Sequence, residues 1–520
     1  MDFILIGFTV AGLWCLGIAC AVAVAGQRLM AGPRPSLGRL ACHAELAGLG
    51  LVLGIMAVSS AQFACSLADR LLGRVLLGRG CSLTLSAIGI IAGPIMLRRY
   101  LGRRQLHSVS DEAGNIPANT EHQLARFCRM AIAVLFVFAV TQTMLTPQRF
   151  WDERAFYGIK AIVLFEDRTI ASADLLNADF VQGHPRYPLL IPLAEHHIYA
   201  SLGRVDDRWA KLLFPLLYLG MLLTFAGVLM RHVGINLAWL GTLLLATAPV
   251  LMPDDYGFTC GQADAPVACF EGVAALYLWD AIRSTQLSFG RSRSWVRSLL
   301  LASLVSGAAA WTKDEGISHG IVRLIALGCA AIAGILGDRG ATAARRQTAQ
   351  SRSDEGRNWL RLLRDAGLTL TVVPALMLGP WFAHRRRLPL TGEMNYFGRL
   401  SPQALWDRLP SLGWSIPHLA ERMFGEAVIW GMQWWLVAMT GLLFPRKLRQ
   451  PSQLFLLLTL VGDLGALLIA GMIAPVMLEE HLGGSSHRYL MQLVPTAMLF
   501  VIGQLAPQEK SSSTTILDPA

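Results

Sequence analysis

Apolar residues in this chain gather into stretches of roughly 17 to 25 residues, divided by shorter polar and basic connections. A helix needs that length to cross the hydrocarbon core of a bilayer, and a helix satisfies its own backbone polar groups there. Thirteen such stretches are read as spanning helices, near 3–25, 44–66, 81–97, 127–146, 211–230, 236–252, 264–282, 297–311, 317–337, 365–383, 427–444, 453–476 and 489–505. The pattern therefore predicts an all-α polytopic membrane protein with about 13 transmembrane helices. The first stretch lacks a basic leader and outruns the apolar part of a secretion signal, so it is read as a retained helix.

The connections are unequal. The one at 147–210 is too long for a mere link, and its opening, 151–165, has the half-apolar pattern of a helix lying on the membrane surface. A second long connection, 384–426, carries Trp406, Trp414, Tyr396 and Phe397, side chains that rest at the interface or stack on a sugar. The polar, basic stretch 338–357 reads as a flexible loop and the tail 508–520 as disordered. These features divide the chain into N-terminal membrane helices (1–126), a membrane core with its large loop (127–337), a polar loop (338–363), C-terminal membrane helices (364–507) and the tail. No fixed-period repeat is visible.

Composition sharpens this picture. Of 520 residues, 54% are hydrophobic and 15% charged, against about 25% charged in soluble domains. The net charge of +10 comes from basic residues between the apolar stretches, so membrane topology explains it without a nucleic-acid partner. With the N-terminus outside, the basic connections at 98–104, 283–297, 339–364 and 446–449 fall in the cytoplasm; the cluster 385–387 runs against that assignment. Nine cysteines, mostly inside apolar stretches, show neither a disulfide framework nor metal-ligand spacing.

Five constellations carry candidate chemistry. Phe150-Trp151-Asp152-Glu153-Arg154 opens the large loop; adjacent carboxylates there serve as a general base or metal ligand, or cap the surface helix. In His184-Pro185-Arg186-Tyr187-Pro188, two prolines pin the backbone around a cation whose fork of donors suits a phosphate or a lipid headgroup. Asp254-Asp255-Tyr256 precedes Asp264, which fits helix capping as well as function. Trp311-Thr312-Lys313-Asp314-Glu315-Gly316 lies between two spans, with His319 and Arg323, four apart and so on one helix face, just inside the next; Arg323 is a functional candidate or one half of an interhelical ion pair. Ser485-Ser486-His487-Arg488-Tyr489 opens the final span, where Arg488 binds a phosphate or snorkels to headgroups.

The order of these motifs along one side of the membrane resembles the GT-C superfamily of polytopic glycosyltransferases, which includes protein O-mannosyltransferases and aminoarabinose transferases of lipid A. Asp152-Glu153 resembles the acidic pair of their first external loop, and His184-Pro185-Arg186-Tyr187-Pro188 the later part of that loop. Thr312-Lys313-Asp314-Glu315-Gly316 is similar to a threonine-lysine-x-glutamate-glycine sequence of bacterial members, and Arg488-Tyr489 to the opening of a late span. Three apolar segments precede the span that leads into the acidic pair, where the family commonly has none.

The resemblance implies inverting transfer of a sugar from a polyprenyl-phosphate donor to a saccharide, lipid or protein acceptor, outside the cytoplasm of a bacterial inner membrane. It assigns Asp152 as catalytic base and Glu153 as its helper, and Arg186, Lys313, Arg323 and Arg488 as donor-phosphate ligands. His184, Tyr187, Asp264 and Glu315 become substrate contacts. A departing phosphate is already anionic and needs cations, while the acceptor hydroxyl needs one carboxylate base. A divalent cation is left open. The rival readings are a secondary transporter lined by Arg323 and Asp463, and a flippase of lipid-linked saccharides.

Overall fold

The computed structural model describes residues 1–25, 35–73, 75–105, 121–252, 256–287, 295–344, 349–390 and 399–507. They form helices and connecting turns, with no strand among them. Helices α1 (Asp2–Ala25), α2 (Pro35–Leu72), α3 (Arg79–Gln105) and α4 (Glu121–Leu145) lead to the large loop, which holds α5 (Ile159–Asp167), α6 (Ala173–Leu176), α7 (Leu190–Leu202) and α8 (Asp207–Lys211). Then come α9 (Leu213–Val233), α10 (Ile235–Ala246), α11 (Asp264–Leu287), α12 (Trp295–Thr312), α13 (Glu315–Ala344) and α14 (Ala349–Arg385). The chain ends with α15 (Pro402–Arg408), α16 (Leu412–Gly425), α17 (Ala427–Trp430), α18 (Gln433–Leu443), α19 (Pro451–Ile473) and α20 (Leu478–Leu505).

Among the described residues, nine helices are long and apolar enough to cross a membrane. Their exposed sides are apolar stripes, such as Phe127, Met130, Val134, Val137 and Phe138 on α4, or Ile321, Ile325, Ile332 and Leu336 on α13. Water would not tolerate such continuous patches, but lipid does, and they mark an integral membrane protein. Four expected spans differ. Stretch 236–252 yields only the 12 residues of α10, and stretch 427–444 is broken between α17 and α18 at Gly431, whose φ of 59° favours glycine. The stretches at 297–311 and 489–505 lie in α12 and α20, which bury Ser298, Ser303, Ser306, Gln492, Thr496 and Gln504. Enclosed by other helices, these two need no lipid-facing apolarity.

Other expectations also meet the structure. The polar stretch 338–357 is helical where described: α13 continues to Ala344, and α14 starts at Ala349. The second long connection contains α15 and α16, with Trp406 and Trp414 exposed, whereas Tyr396 and Phe397 lie outside the described residues, as do Asp254, Asp255 and the tail 508–520.

Helix α11 is the axis of the bundle. Its apolar window is wholly buried, and α9, α12 and α20 pack around it. It carries Asp264, Glu271 and Asp280, each held against basic side chains packed around it: Asp264 by Lys313 and Arg488, Glu271 by Arg323, and Asp280 by Arg231 with a hydrogen bond to His232. Paired charges of this kind are how a buried helix tolerates carboxylates.

The first three helices are built into the bundle. Helix α2 packs along α9 and beneath α7, so closely that a Cβ on Gly48 would stand 2.5 Å from Gly220 O and from Thr224 N. A Cβ on Gly17 would likewise strike the backbone of Gly50 between α1 and α2.

Candidate active site

The loop is helical from Trp151 onward, through a widened π-helical segment, Glu153–Gly158, that continues into α5. Such segments recur at functional sites. Successive residues on a helix point roughly 100° apart, so the two carboxylates part company. Glu153 is fully buried, and its oxygens accept from Arg149 N (2.9 Å), Phe150 N (3.1 Å) and Gly261 N (2.9 Å), with Lys211 Nζ at 3.2 Å. It closes the start of its own helix in the manner of a capping box and ties it to the 257–263 segment. Asp152 turns the other way, its side chain 20% exposed, and Oδ2 accepts from Arg488 Nη1 at 2.5 Å.

Arg488 is the hub of an ion cluster. Its Nε and Nη2 donate to Asp264 Oδ2 at 2.9 and 2.7 Å. The other oxygen of Asp264, Oδ1, takes Lys313 Nζ at 2.8 Å and Gln492 Nε2 at 3.1 Å. Lys313 also lies 2.9 Å from Glu315 Oε2, which accepts from Gln492 at 3.1 Å. Arg488 and Gln492 are four apart on α20 and so share a face. The tight turn that presents Lys313 and Glu315 requires Gly316, where a Cβ would strike the backbone of Ala309 and Ala310. Asp264 opens α11, where a carboxylate suits the helix dipole, but its side chain is spent on the cluster. Burial works against the charge of Lys313, yet Asp264 and Glu315 outweigh it and hold its pKa above the ordinary lysine value.

A second group of cations stands beside the first. Arg385, the last residue of α14, grips Asp314 through two hydrogen bonds of 2.8 and 2.6 Å. Near it lie Arg186 and the buried Lys160, whose pKa values are lowered by burial and then by the charge of Arg385. Arg186 Nε is buried without a hydrogen-bond partner. The two guanidinium groups of Arg186 and Arg385 against the one carboxylate of Asp314 leave this patch net positive.

Tyr187 links the two groups. Lys160 Nζ lies 5.3 Å from its ring centroid. Burial raises the phenol's pKa, while Lys313, Glu315, Arg488 and Asp152 all act on it. The ring of His184 stacks on Tyr187 at 4.9 Å and meets Phe156 edge-on at 4.3 Å. His184 takes a left-handed φ of 44°, a conformation uncommon for residues other than glycine.

Arg323 does not join this site. It ion-pairs with Glu271, donates to Glu271 O and Ser306 Oγ at 3.2 Å, and is buried. Glu271 lies seven residues, about 10 Å of helix rise, below Asp264. The interhelical ion pair is thus its observed state. His319, on the same face, donates from Nδ1 to Asp463 and from Nε2 to Gln492 Oε1, each at 2.9 Å.

Lys160, Arg385 and Gln492 are site residues that the sequence did not single out, and Asp314 was named only as part of the Trp311–Gly316 motif, without a role. Only Arg385 left a signal, as a basic cluster on the side expected to be poor in them. Among the described residues, no group of three or more His, Cys, Asp or Glu is placed to hold a metal ion. No family model, no curated protein and no solved structure matches this chain.

Proposed function

We propose that this chain is an inverting, GT-C-like glycosyltransferase that moves a sugar from a polyprenyl-phosphate donor to an acceptor hydroxyl on the extracytoplasmic face of a bacterial inner membrane. In this reading all thirteen stretches, the short and interrupted ones included, belong to the membrane domain. The observation that carries the proposal is the union of Asp152, Asp264, Lys313, Glu315 and Arg488 in one cluster, with partly exposed Asp152 at its edge and a net-positive patch beside it.

The two groups divide the chemistry. Asp152 is the base: as the acceptor oxygen attacks the anomeric carbon from the face opposite the phosphate, its proton passes to the Asp152 carboxylate. Arg488 orients that carboxylate, and Asp264 fixes Arg488 in turn. The phosphate leaves as an anion toward Arg186, Lys160 and Arg385, where the unpartnered Nε of Arg186 waits for an acceptor. Tyr187 and His184 offer flat rings to the sugar or its acceptor. Polyprenyl-phosphate sugar is thus the donor substrate, membrane lipid the medium, and a saccharide, lipid or protein the acceptor.

A secondary transporter or flippase is the second reading, favoured by the buried ionisable pairs Arg323–Glu271 and His319–Asp463 within the bundle. One experiment separates them. Purified protein is given polyprenyl-phosphate sugars and a membrane extract, and wild type is compared with Asp152→Asn. Transfer lost by a factor of about 10² or more, with folding and donor binding kept, is the expected result. Transfer unchanged by the substitution would displace Asp152 as base, and none with any donor would favour the transporter.

A further inference from the structure

The turn joining α2 to α3 brings together two cysteines that sequence spacing does not pair. Cys65 and Cys81 lie 16 residues apart with Sγ atoms separated by 3.6 Å, and both are partly buried. Cys65 is one helical turn before Asp69, where the α2 span ends, and Cys81 is two residues after Arg79, where the α3 span begins. They therefore occupy the same end of the bundle. The large loop rests on that end: Ile170 N donates to Ser66 Oγ at 2.9 Å, Ser59 Oγ to Leu190 O at 2.8 Å, and Gln62 bonds His197 at 3.0 Å.

We propose that Cys65 and Cys81 are a redox pair that closes to a disulfide on the face of the membrane that carries the large loop. This rests on the extracytoplasmic placement of that face, not on the sugar-transfer reaction. Disulfides persist in compartments outside the cytoplasm, and the sulfurs need to close by about 1.5 Å to reach the bonding distance of about 2.05 Å. The oxidant is an external disulfide, R–S–S–R. One cysteine thiolate attacks it and releases one RS⁻, giving a mixed disulfide. The second thiolate then attacks the protein sulfur of that bond and expels the other RS⁻. Two cysteine protons pass to the two released thiolates, so two electrons leave the cysteines and two R–SH form. The product staples the ends of α2 and α3 under the loop.

The test uses full-length protein purified without reductant, denatured in N-ethylmaleimide, digested and weighed with and without dithiothreitol. A peptide pair joining Cys65 to Cys81, two hydrogens lighter than the separate thiols and alkylated at both only after reduction, is expected. Reduced protein given oxidised glutathione should re-form it with release of two glutathiones per chain. In Cys65→Ser, Cys81 should be alkylated without reductant. Both cysteines alkylated without reduction after oxidised glutathione, a stable glutathione adduct in place of the link, or Cys81 still blocked in Cys65→Ser would each overturn the proposal.

Discussion

Arg488 and Asp264, 224 positions apart in sequence, meet through two guanidinium donors that both end on the single oxygen Oδ2. This leaves Asp264 Oδ1 for Lys313 and Gln492, and leaves Nη1 of Arg488 for Asp152. A lysine supplies a compact charge on a flexible stem and lacks the planar fork that fixes these three contacts at once. Arg488→Lys is expected to keep most of the stability but lose transfer by about 10²-fold, the lower range for a misplaced base. Melting temperature and turnover measured together check it; a variant with unchanged turnover would remove Arg488 from the orientation of Asp152.

Arg186 and Arg385 differ in their prior commitments. Arg385 is engaged by Asp314, whereas Arg186 Nε has no partner. Removing Arg186 therefore costs the empty protein little, but takes a charge-assisted hydrogen bond from an anionic donor, about 1.5–3 kcal/mol. Arg186→Ala is expected to weaken binding of polyprenyl phosphate by about 10- to 100-fold with little change in melting temperature. Calorimetric titration with polyprenyl phosphate decides this, and equal affinity would take the phosphate elsewhere.

Arg323 yields the opposite signature. Replacing it strands Glu271 inside the bundle, which costs about 3–5 kcal/mol, whereas replacing both partners by apolar residues of similar size is often close to neutral. Arg323→Met should lower stability strongly, Arg323→Met with Glu271→Leu should restore much of it, and the restored protein should bind donor normally. Impaired donor binding in the stable double variant would return Arg323 to the phosphate site.

Much of the membrane architecture was legible because lipid imposes a length and an apolarity on each helix that contacts it. The reading weakened where protein replaces lipid: α12 and α20 carry buried serines and glutamines. The site was legible as a set of local motifs but not as an assembly. Capping was legible for the acidic pair as a whole, but not that Glu153 is the carboxylate that turns inward, since that depends on Gly261 and Lys211 arriving from elsewhere. Gln492 carries no local signal, because its partners His319, Asp264 and Glu315 are remote in sequence.

His196 and His197 in α7 give the loop a pH response. Burial depresses their pKa values to about 4 and about 3, the charge of His196 adding to the effect on His197. The ordinary value is about 6.5. Below that pH the unfolded chain takes up protons that the folded loop refuses until about 4 and about 3, so stability is full above about 6.5 and falls as the medium is acidified. The slope approaches about 1.4 kcal/mol per pH unit for each histidine. His196→Gln should reduce it by one histidine's share. Melting temperatures from pH 7 to pH 4 test this, and a flat wild-type profile would contradict it.

The close approach of α2 to α9 at Gly48 also sets a problem of timing during synthesis. About 140 residues separate the end of α2 from the start of α9, which at ordinary rates of synthesis is on the order of ten seconds. Until α9 arrives, the face of α2 that carries Gly48 lacks this partner. A bulky side chain at Gly48 would thus act on assembly: few molecules would survive the membrane's quality-control proteases, while those that did would turn over substrate at the normal rate.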